Sequence, residues 1–231
     1  VSVQREAGRR AGRVVNAQAR VAVRGPVKRI MDNYPADHGG YCDLPNNPSR
    51  DANDTTTRKV AFTKELWIEN SDFFEVPPPK FKRLTLGSEV RLMGAYIVKC
   101  NEVVKDENGE IVEIRCTADL ETGNGMPADG RKVKGTIHWV SAAHALDADL
   151  YLYDNLFTLE NVNDVPEGTD YLDYLNPESL KTLTGCKLEP SLGDAKEGER
   201  FQFVSMGYYD KDREDGRFHR LVTHKDRLAH H

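Results

Sequence analysis

Between Thr85 and Asp119 lie two runs rich in β-branched residues, Val90 to Val104 and Ile111 to Thr117, on either side of Asp106-Glu107-Asn108-Gly109. Asn-Gly between two such runs is the strongest short-range hairpin signal, because both residues tolerate the positive φ of a turn whose twist matches that of paired strands. Cys100 and Cys116 fall in the two arms and are placed to face one another. Comparable short runs recur along the chain: Val60 to Phe62, Leu66 to Ile68, Thr136 to Val140, Leu183 to Leu188, then Phe201 to Tyr209 paired with Arg217 to Thr223. Turn residues separate them, and no βαβ rhythm is present. That pattern predicts an all-β chain of barrels or sandwiches with little helix. Leu175 to Leu180 suits a helical turn, Pro35 to Thr57 reads as loop, and Pro77-Pro78-Pro79 predicts a stiff extended spacer before Lys80.

With 231 residues the chain can form one large β domain or two small ones. The net charge of -5 carries no simple nucleic-acid signature, but its distribution is uneven. Val1 to Arg29 holds eight Lys or Arg and one Glu, about +7, which leaves about -12 on the remainder. Residues 1–19 are therefore expected to be a basic arm or linker, and 20–231 the folded region. An acidic body that binds RNA has to concentrate its cations locally, since phosphate contacts come from Lys and Arg. The four cysteines form no CxxC pair, and no apolar run has membrane-spanning length. Reduced thiols and a cytoplasmic location are the expectation.

Catalytic signatures are missing: there is no phosphate loop, no dinucleotide fingerprint and no nucleophile elbow. Asp210, Asp212, Glu214 and Gly216 fail as a calcium loop, since the glycine comes one position late and no bidentate Glu follows. His138, His144, His219 and His224 lack metal-ligand spacing, and His138 beside Trp139 reads as a core histidine. No catalytic or metal residue is assigned. The binding candidates are cations around an aromatic. Lys80, Lys82 and Arg83 flank Phe81, and Arg91 follows one strand-length later. In an extended segment Lys80 and Lys82 share one face, opposite Phe81 and Arg83. Arg can read a base edge, Lys can hold phosphate, and single-stranded bases splay into such pockets. A solvated charged strand has the same composition, so these residues alone leave both readings open.

Arg131 to Phe157 joins several of these elements: a basic cluster (Arg131, Lys132, Lys134), a bend at Gly135, the Thr136 to Val140 run, then alternation at Leu150 and Leu152. Its GTIHWVSAAHA and YLYDNLF segments resemble the C-terminal anticodon-binding region of glutaminyl-tRNA synthetases. The resemblance runs in order from about Val23 to Asp226, through Pro26-Val27-Lys28, Glu65-Leu66-Trp67-Ile68-Glu69, Glu89-Val90-Arg91-Leu92, Leu175-Asn176-Pro177-Glu178-Ser179-Leu180 and Glu189-Pro190-Ser191-Leu192. It implies two consecutive small β-barrels, the proximal one built from both chain ends and the distal one from the middle. It implies glutamine tRNA as partner, with no DNA or membrane, and a monomer docked on its own upstream catalytic domain. ATP and Mg are expected only in that domain, since neither synthetase signature (histidine-isoleucine-glycine-histidine-like, lysine-methionine-serine-lysine-serine-like) occurs here.

The resemblance also suggests roles. Lys82 and Arg83 match the family's contacts to the third anticodon base, with Lys80 in place of a glutamine. Arg91 matches one of two arginines for the first base, and Met93 stands at the other. Gln202 matches a glutamine for the central uridine, while Val204 replaces a glutamate and Ser205 an arginine. Arg220 matches the arginine of the closing strand. One alternative is the barrel region of a glutamyl-tRNA synthetase, against which His138-Trp139-Val140-Ser141 argues. The other is a free-standing barrel that binds RNA or protein without anticodon specificity, which Met93 and Ser205 keep open.

Overall fold

The computed structural model describes residues 17–37, 39–47, 54–154, 156–159, 165–203, 206–212 and 217–222. The chain opens with β1 (Gln18–Arg20) and β2 (Ala22–Val23), which belong to opposite edges of one seven-stranded sheet. It leaves that sheet at Gly25, whose carbonyl accepts from the Asn70 N–H, and enters a second sheet as β3 (Pro26–Met31). An antiparallel ribbon follows, β4 (Gly40–Pro45) with β5 (Thr57–Phe62). Next, β6 (Glu65–Glu69) pairs with β3, while β7 (Phe73–Phe74) and β8 (Leu84–Thr85) make a small parallel pair. A meander of β9 (Glu89–Leu92), β10 (Ile97–Lys105) and β11 (Ile111–Ala118) fills the second sheet, and β12 (Thr136–Ile137) and β13 (Val140–Ser141) form its edges. The chain then returns to the first sheet as β14 (Leu146–Tyr153), β15 (Leu180–Leu188), β16 (Arg200–Phe203), β17 (Gly207–Lys211) and β18 (Phe218–Val222).

Strand order dictates closure. The first sheet runs β1-β16-β17-β18-β14-β15-β2, and its two edge strands are separated in the chain by Val21 alone. The second runs β12-β9-β10-β11-β3-β6-β13, and only His138 and Trp139 lie between its edges. Links that short reach only about 7–10 Å. Opposite edges of each sheet must therefore meet, and each sheet curls into a barrel. The first barrel draws on both ends of the described chain and the second on its middle.

Each barrel has its own core. In the second, Trp139 is fully buried, stands edge-on to Phe62 with centroids 4.9 Å apart, and donates from Nε1 to the Met93 carbonyl at 2.9 Å. Placed on the crossing between edges, it plugs the barrel where the ladder is interrupted. In the first, Phe201, Phe203, Tyr209 and Phe218 pack around Leu150 and Leu188. Trp67 lies between the barrels, with the Lys28 ammonium 5.6 Å and the Lys187 ammonium 5.1 Å from its ring.

The all-β expectation holds, and so does the pairing of Cys100 with Cys116 across β10 and β11. The connecting turn is longer than a two-residue Asn-Gly loop. Asp106 accepts from the backbone N–H of both Asn108 and Glu110, and Gly109 sits at φ +79°. Other elements differ from the sequence reading. Val90 to Val104 is broken by a tight turn at Met93 to Tyr96, where a side chain on Gly94 would strike Leu44. Thr136 to Val140 is two strands, because the chain crosses between barrel edges at His138-Trp139. The stretch read as loop contains β4, and Phe201 to Thr223 gives three strands rather than two. The helical turn lies at Tyr171–Tyr174, capped by Asp170 and Asp173, upstream of Leu175 to Leu180. Residues 1–16 of the expected arm, with Val204, Ser205, Glu214, Gly216 and His224, lie outside the described residues, and the arm's last residues, Gln18 and Ala19, belong to β1 instead.

Candidate nucleic-acid interface

The cation-rich segment begins with a turn. Pro79 fixes its own φ, Lys80 takes φ +64°, and the Phe81 N–H closes the turn on the Pro78 carbonyl at 3.2 Å. The prolines therefore lead into a reversal rather than a straight spacer, and Phe81 to Arg83 is irregular rather than a strand. The expected alternation of faces is lost. Phe81, Lys82 and Arg83 instead turn toward one pocket of about 580 Å³, with Phe81 edge-on to Phe74 at 5.0 Å.

Opposite this segment runs the chain from Lys132 to Gly135. Gly135 has φ +97°, and a Cβ there would lie 1.7 Å from the Lys82 carbonyl oxygen. This close approach brings Lys132 and Lys134 to the pocket beside Lys82 and Arg83, and Lys99 of β10 adds a fifth cation. Glu89 is the one carboxylate in the lining, and Arg131 holds it through Nε at 3.0 Å. The same guanidinium reaches Asp119 at 2.6 Å and Asp129 at 3.0 Å, so it ties the approach loop together. Arg131 and the Thr122 hydroxyl pull the Asp119 carboxyl down to about 2.

Arg83 is anchored without being covered. Nη1 meets Asp72 Oδ1 at 3.0 Å, while nearly half of the side chain stays exposed. Asp72 is buried, which pushes its carboxyl up to about 6 even though Arg83 pulls the other way. His138 sits near enough for Arg83 and burial to push its imidazole down to about 4, burial being the larger cause. It is a neutral histidine at pH 7, but it is only half-buried and its Nδ1 has no hydrogen-bond partner, so it is not the satisfied core histidine that the sequence suggested.

The remaining candidates are dispersed. Lys80 is exposed on its turn and does not line the pocket. Arg91 gives its guanidinium to the carbonyls of Ala95 (3.1 Å), Gly123 (3.3 Å) and Gly125 (2.5 Å), so it caps the 123–125 loop. Met93 packs partly buried against the core of the second barrel. Gln202 and Arg220 belong to the first barrel, on β16 and β18. Gln202 is buried, opposite Tyr208 and beside Ala19, and its Oε1 has no hydrogen-bond partner. Arg220 is half-buried opposite Tyr209. Lys99, Lys132 and Lys134 were not candidates from the sequence. The available signal was two lysines two apart directly before a glycine, which shows a basic cluster but not what it faces.

Among the described residues no group of three His, Cys, Asp or Glu side chains is placed to hold a metal ion, and no helix is long and apolar enough to cross a membrane. The pocket is thus a cationic, aromatic-edged cleft on a β-barrel, with a second barrel beside it. Residues 17–119 match the profile described as tRNA synthetases class I (E and Q), anti-codon binding domain, and residues 136–212 match a second profile of the same description. The chain belongs to this family, whose part in aminoacylation is recognition of tRNA. Its relatives include the glutamine–tRNA ligase of Xanthomonas axonopodis pv. citri, 47% identical over 218 residues, covering 92% of this chain and 37% of that one. The ligase of Stutzerimonas stutzeri is 44% identical over 216 residues, 91% of this chain and 38% of its own. That of Pseudomonas syringae pv. tomato is 40% identical over 216 residues, 91% and 37%. The resemblance to glutaminyl-tRNA synthetases therefore holds along the chain, which spans little more than a third of the length of these relatives.

Proposed function

We propose that this chain is the anticodon-reading part of a glutamine–tRNA ligase, and that it reads splayed anticodon bases by hydrogen bonds and stacking, without covalent chemistry. The observation that carries the reading is the pocket: five cations and one occupied carboxylate beside Phe81, on a chain whose net charge is -5. Concentrated positive charge of this kind suits a phosphate-flanked base. In this reading Lys82 and Arg83 hold the third anticodon base, and Lys99, Lys132 and Lys134 hold its phosphates. Lys80 stands at the rim. Gln202 offers its buried, unpartnered Oε1 to a base N–H in the central position, and Arg220 supports it from β18. Arg91 positions the loop at the first base rather than reading it, in keeping with its three carbonyl contacts. The identity of the three ligases above favours a glutamine over a glutamate enzyme. Amino-acid activation, with ATP and Mg, belongs in this reading to an upstream catalytic domain on which the barrels dock, in a monomeric cytoplasmic enzyme.

The test is binding of the chain to glutamine tRNA and to an anticodon-swapped variant across a salt series. Weaker binding of the swapped tRNA at every salt concentration supports base readout. Equal affinities that fall together with salt would reduce the interaction to phosphate contacts and overturn the anticodon reading.

A further inference from the structure

Inside the second barrel three buried side chains form a cluster that the proposed tRNA reading does not use. Cys100 on β10 lies opposite Cys116 on β11, and Arg29 on β3 lies alongside. All three are fully buried. Arg29 Nε donates to Cys116 Sγ at 3.2 Å, and Nη1 and Nη2 of the same guanidinium have no partner. A buried guanidinium without a carboxylate is costly, and a thiolate is the anion this site can supply.

The ladder sets the two sulfurs together. Cys100 donates its N–H to the Ser88 carbonyl and accepts from the Gly87 N–H, both on the side away from β11. The Cys116 carbonyl accepts from the Asp32 N–H, on the side away from β10. Cys100 and Cys116 are thus a non-hydrogen-bonded pair, for which Cα atoms stand about 4.5 Å apart, within the roughly 4.4–6.8 Å that a disulfide spans. A register shift directly after Cys100 gives β10 local freedom to adjust. The contact with Cys100 and the charge of Arg29 lower the Cys116 thiol below its ordinary value, and the same contact raises Cys100.

We propose that Cys100 and Cys116 are an oxidisable dithiol, a modification site that a small hydroperoxide converts into a cross-strand disulfide. The Cys116 thiolate, held by Arg29, attacks one peroxide oxygen. The O–O bond breaks, and the hydroxide that leaves takes a proton from solvent to become water. Cys100 sulfur then attacks the resulting sulfenic acid, the S–O bond breaks, and hydroxide departs with the Cys100 proton as a second water. Two thiols lose two electrons and one hydrogen peroxide is reduced to two waters. Cys100 is the resolving partner, which makes the product reversible by a dithiol reductant.

Accessibility alone predicts a different outcome. Cys42 is the one cysteine that is only half-buried, and even that burial raises its thiol to about 11 and keeps it protonated. The experiment is to treat the folded chain with hydrogen peroxide, quench, unfold in alkylating agent and map the cysteines by mass spectrometry. The expected product is a Cys100–Cys116 crosslink with Cys42 and Cys186 still alkylatable. Arg29→Leu is expected to slow crosslinking at least tenfold, and Cys100→Ser to stop at a trappable sulfenic acid on Cys116. Oxidation of Cys42 first, or a crosslink that forms only in urea, overturns the proposal, and neither result depends on a variant. Arg29→Leu crosslinking at the unmodified rate removes the arginine from it.

Discussion

A methyl group on Gly135 would sit 1.7 Å from the Lys82 carbonyl oxygen, at a φ of +97° that L side chains rarely adopt. Gly109, at φ +79°, has open space where its Cβ would be. The two glycines separate backbone strain from close approach. Gly109→Ala is expected to cost about 1 kcal/mol and leave tRNA binding unchanged. Gly135→Ala should cost more than about 2 kcal/mol, because strain and collision add. It should also weaken tRNA binding by moving Lys132 and Lys134 off the pocket. Urea midpoints and tRNA titrations of the two variants give the comparison. Asp72 supplies a second residue-level expectation, in pH. Its folded value of about 6 lies above the ordinary carboxylate value, so ionising it is harder in the fold than in the unfolded chain. Its contribution to stability is complete below about pH 4 and is lost as pH rises toward 6. Asp119, held down to about 2, acts in the opposite sense: its stabilisation is present above about pH 4 and is lost as pH falls through 2. The difference between the chain and Asp72→Asn, measured as urea midpoints from pH 4 to 6.5, should therefore shrink as pH rises. A difference that grows with pH would mean that the ion pair with Arg83 outweighs burial.

Among the elements, those whose rules are local were legible. The β10–β11 hairpin, the strands either side of Thr63-Lys64 and the all-β class follow from runs and turn residues that act within a few positions. What escaped depends on strand order. Nothing in Thr136 to Val140 says that the chain passes from one barrel edge to the other, so a continuous strand was the natural reading of a β-rich run. The turn at Lys80 escaped for another reason: three prolines argue for extension, and the reversal needs positive φ at a residue type that seldom adopts it. That turn decides the candidate site, since it points Phe81, Lys82 and Arg83 into one pocket where alternation would have split them. Lys80→Gly should then have effects of opposite sign. Release of the left-handed strain stabilises the chain by about 0.5–1 kcal/mol, while loss of a rim cation lowers tRNA affinity and reduces the salt slope by about 1. A variant that gains neither stability nor a shallower salt dependence would assign the turn no role in either.

At the scale of the molecule the question is what makes two barrels one body. Glu189, just after β15 of the first barrel, is fully buried. Arg58 of the β4–β5 ribbon meets it with both Nε and Nη2 at 2.6 Å, and Leu44, Val60 and Phe62 of that ribbon belong to the core of the second barrel. The Val21 N–H donates to the same carboxylate at 2.7 Å, at the one residue that closes the first barrel, and Arg20 Nε stands 3.7 Å away. One carboxylate thus closes one barrel and ties it to the other. Replacing it by Gln keeps its volume but leaves the largely buried Arg58 guanidinium without a counter-charge and removes the ion pair of Arg20, for which roughly 3–5 kcal/mol is the expected loss. Arg58→Ala removes one of those cations, so the double variant should be less destabilised than the two single costs added together. Calorimetry adds a readout that a local defect would not change. If Glu189 couples the barrels, its loss should split a single cooperative transition into two, because Trp139 and the Phe201 cluster belong to separate cores. One sharp transition at an unchanged midpoint would place the coupling elsewhere, at Trp67 between Lys28 and Lys187.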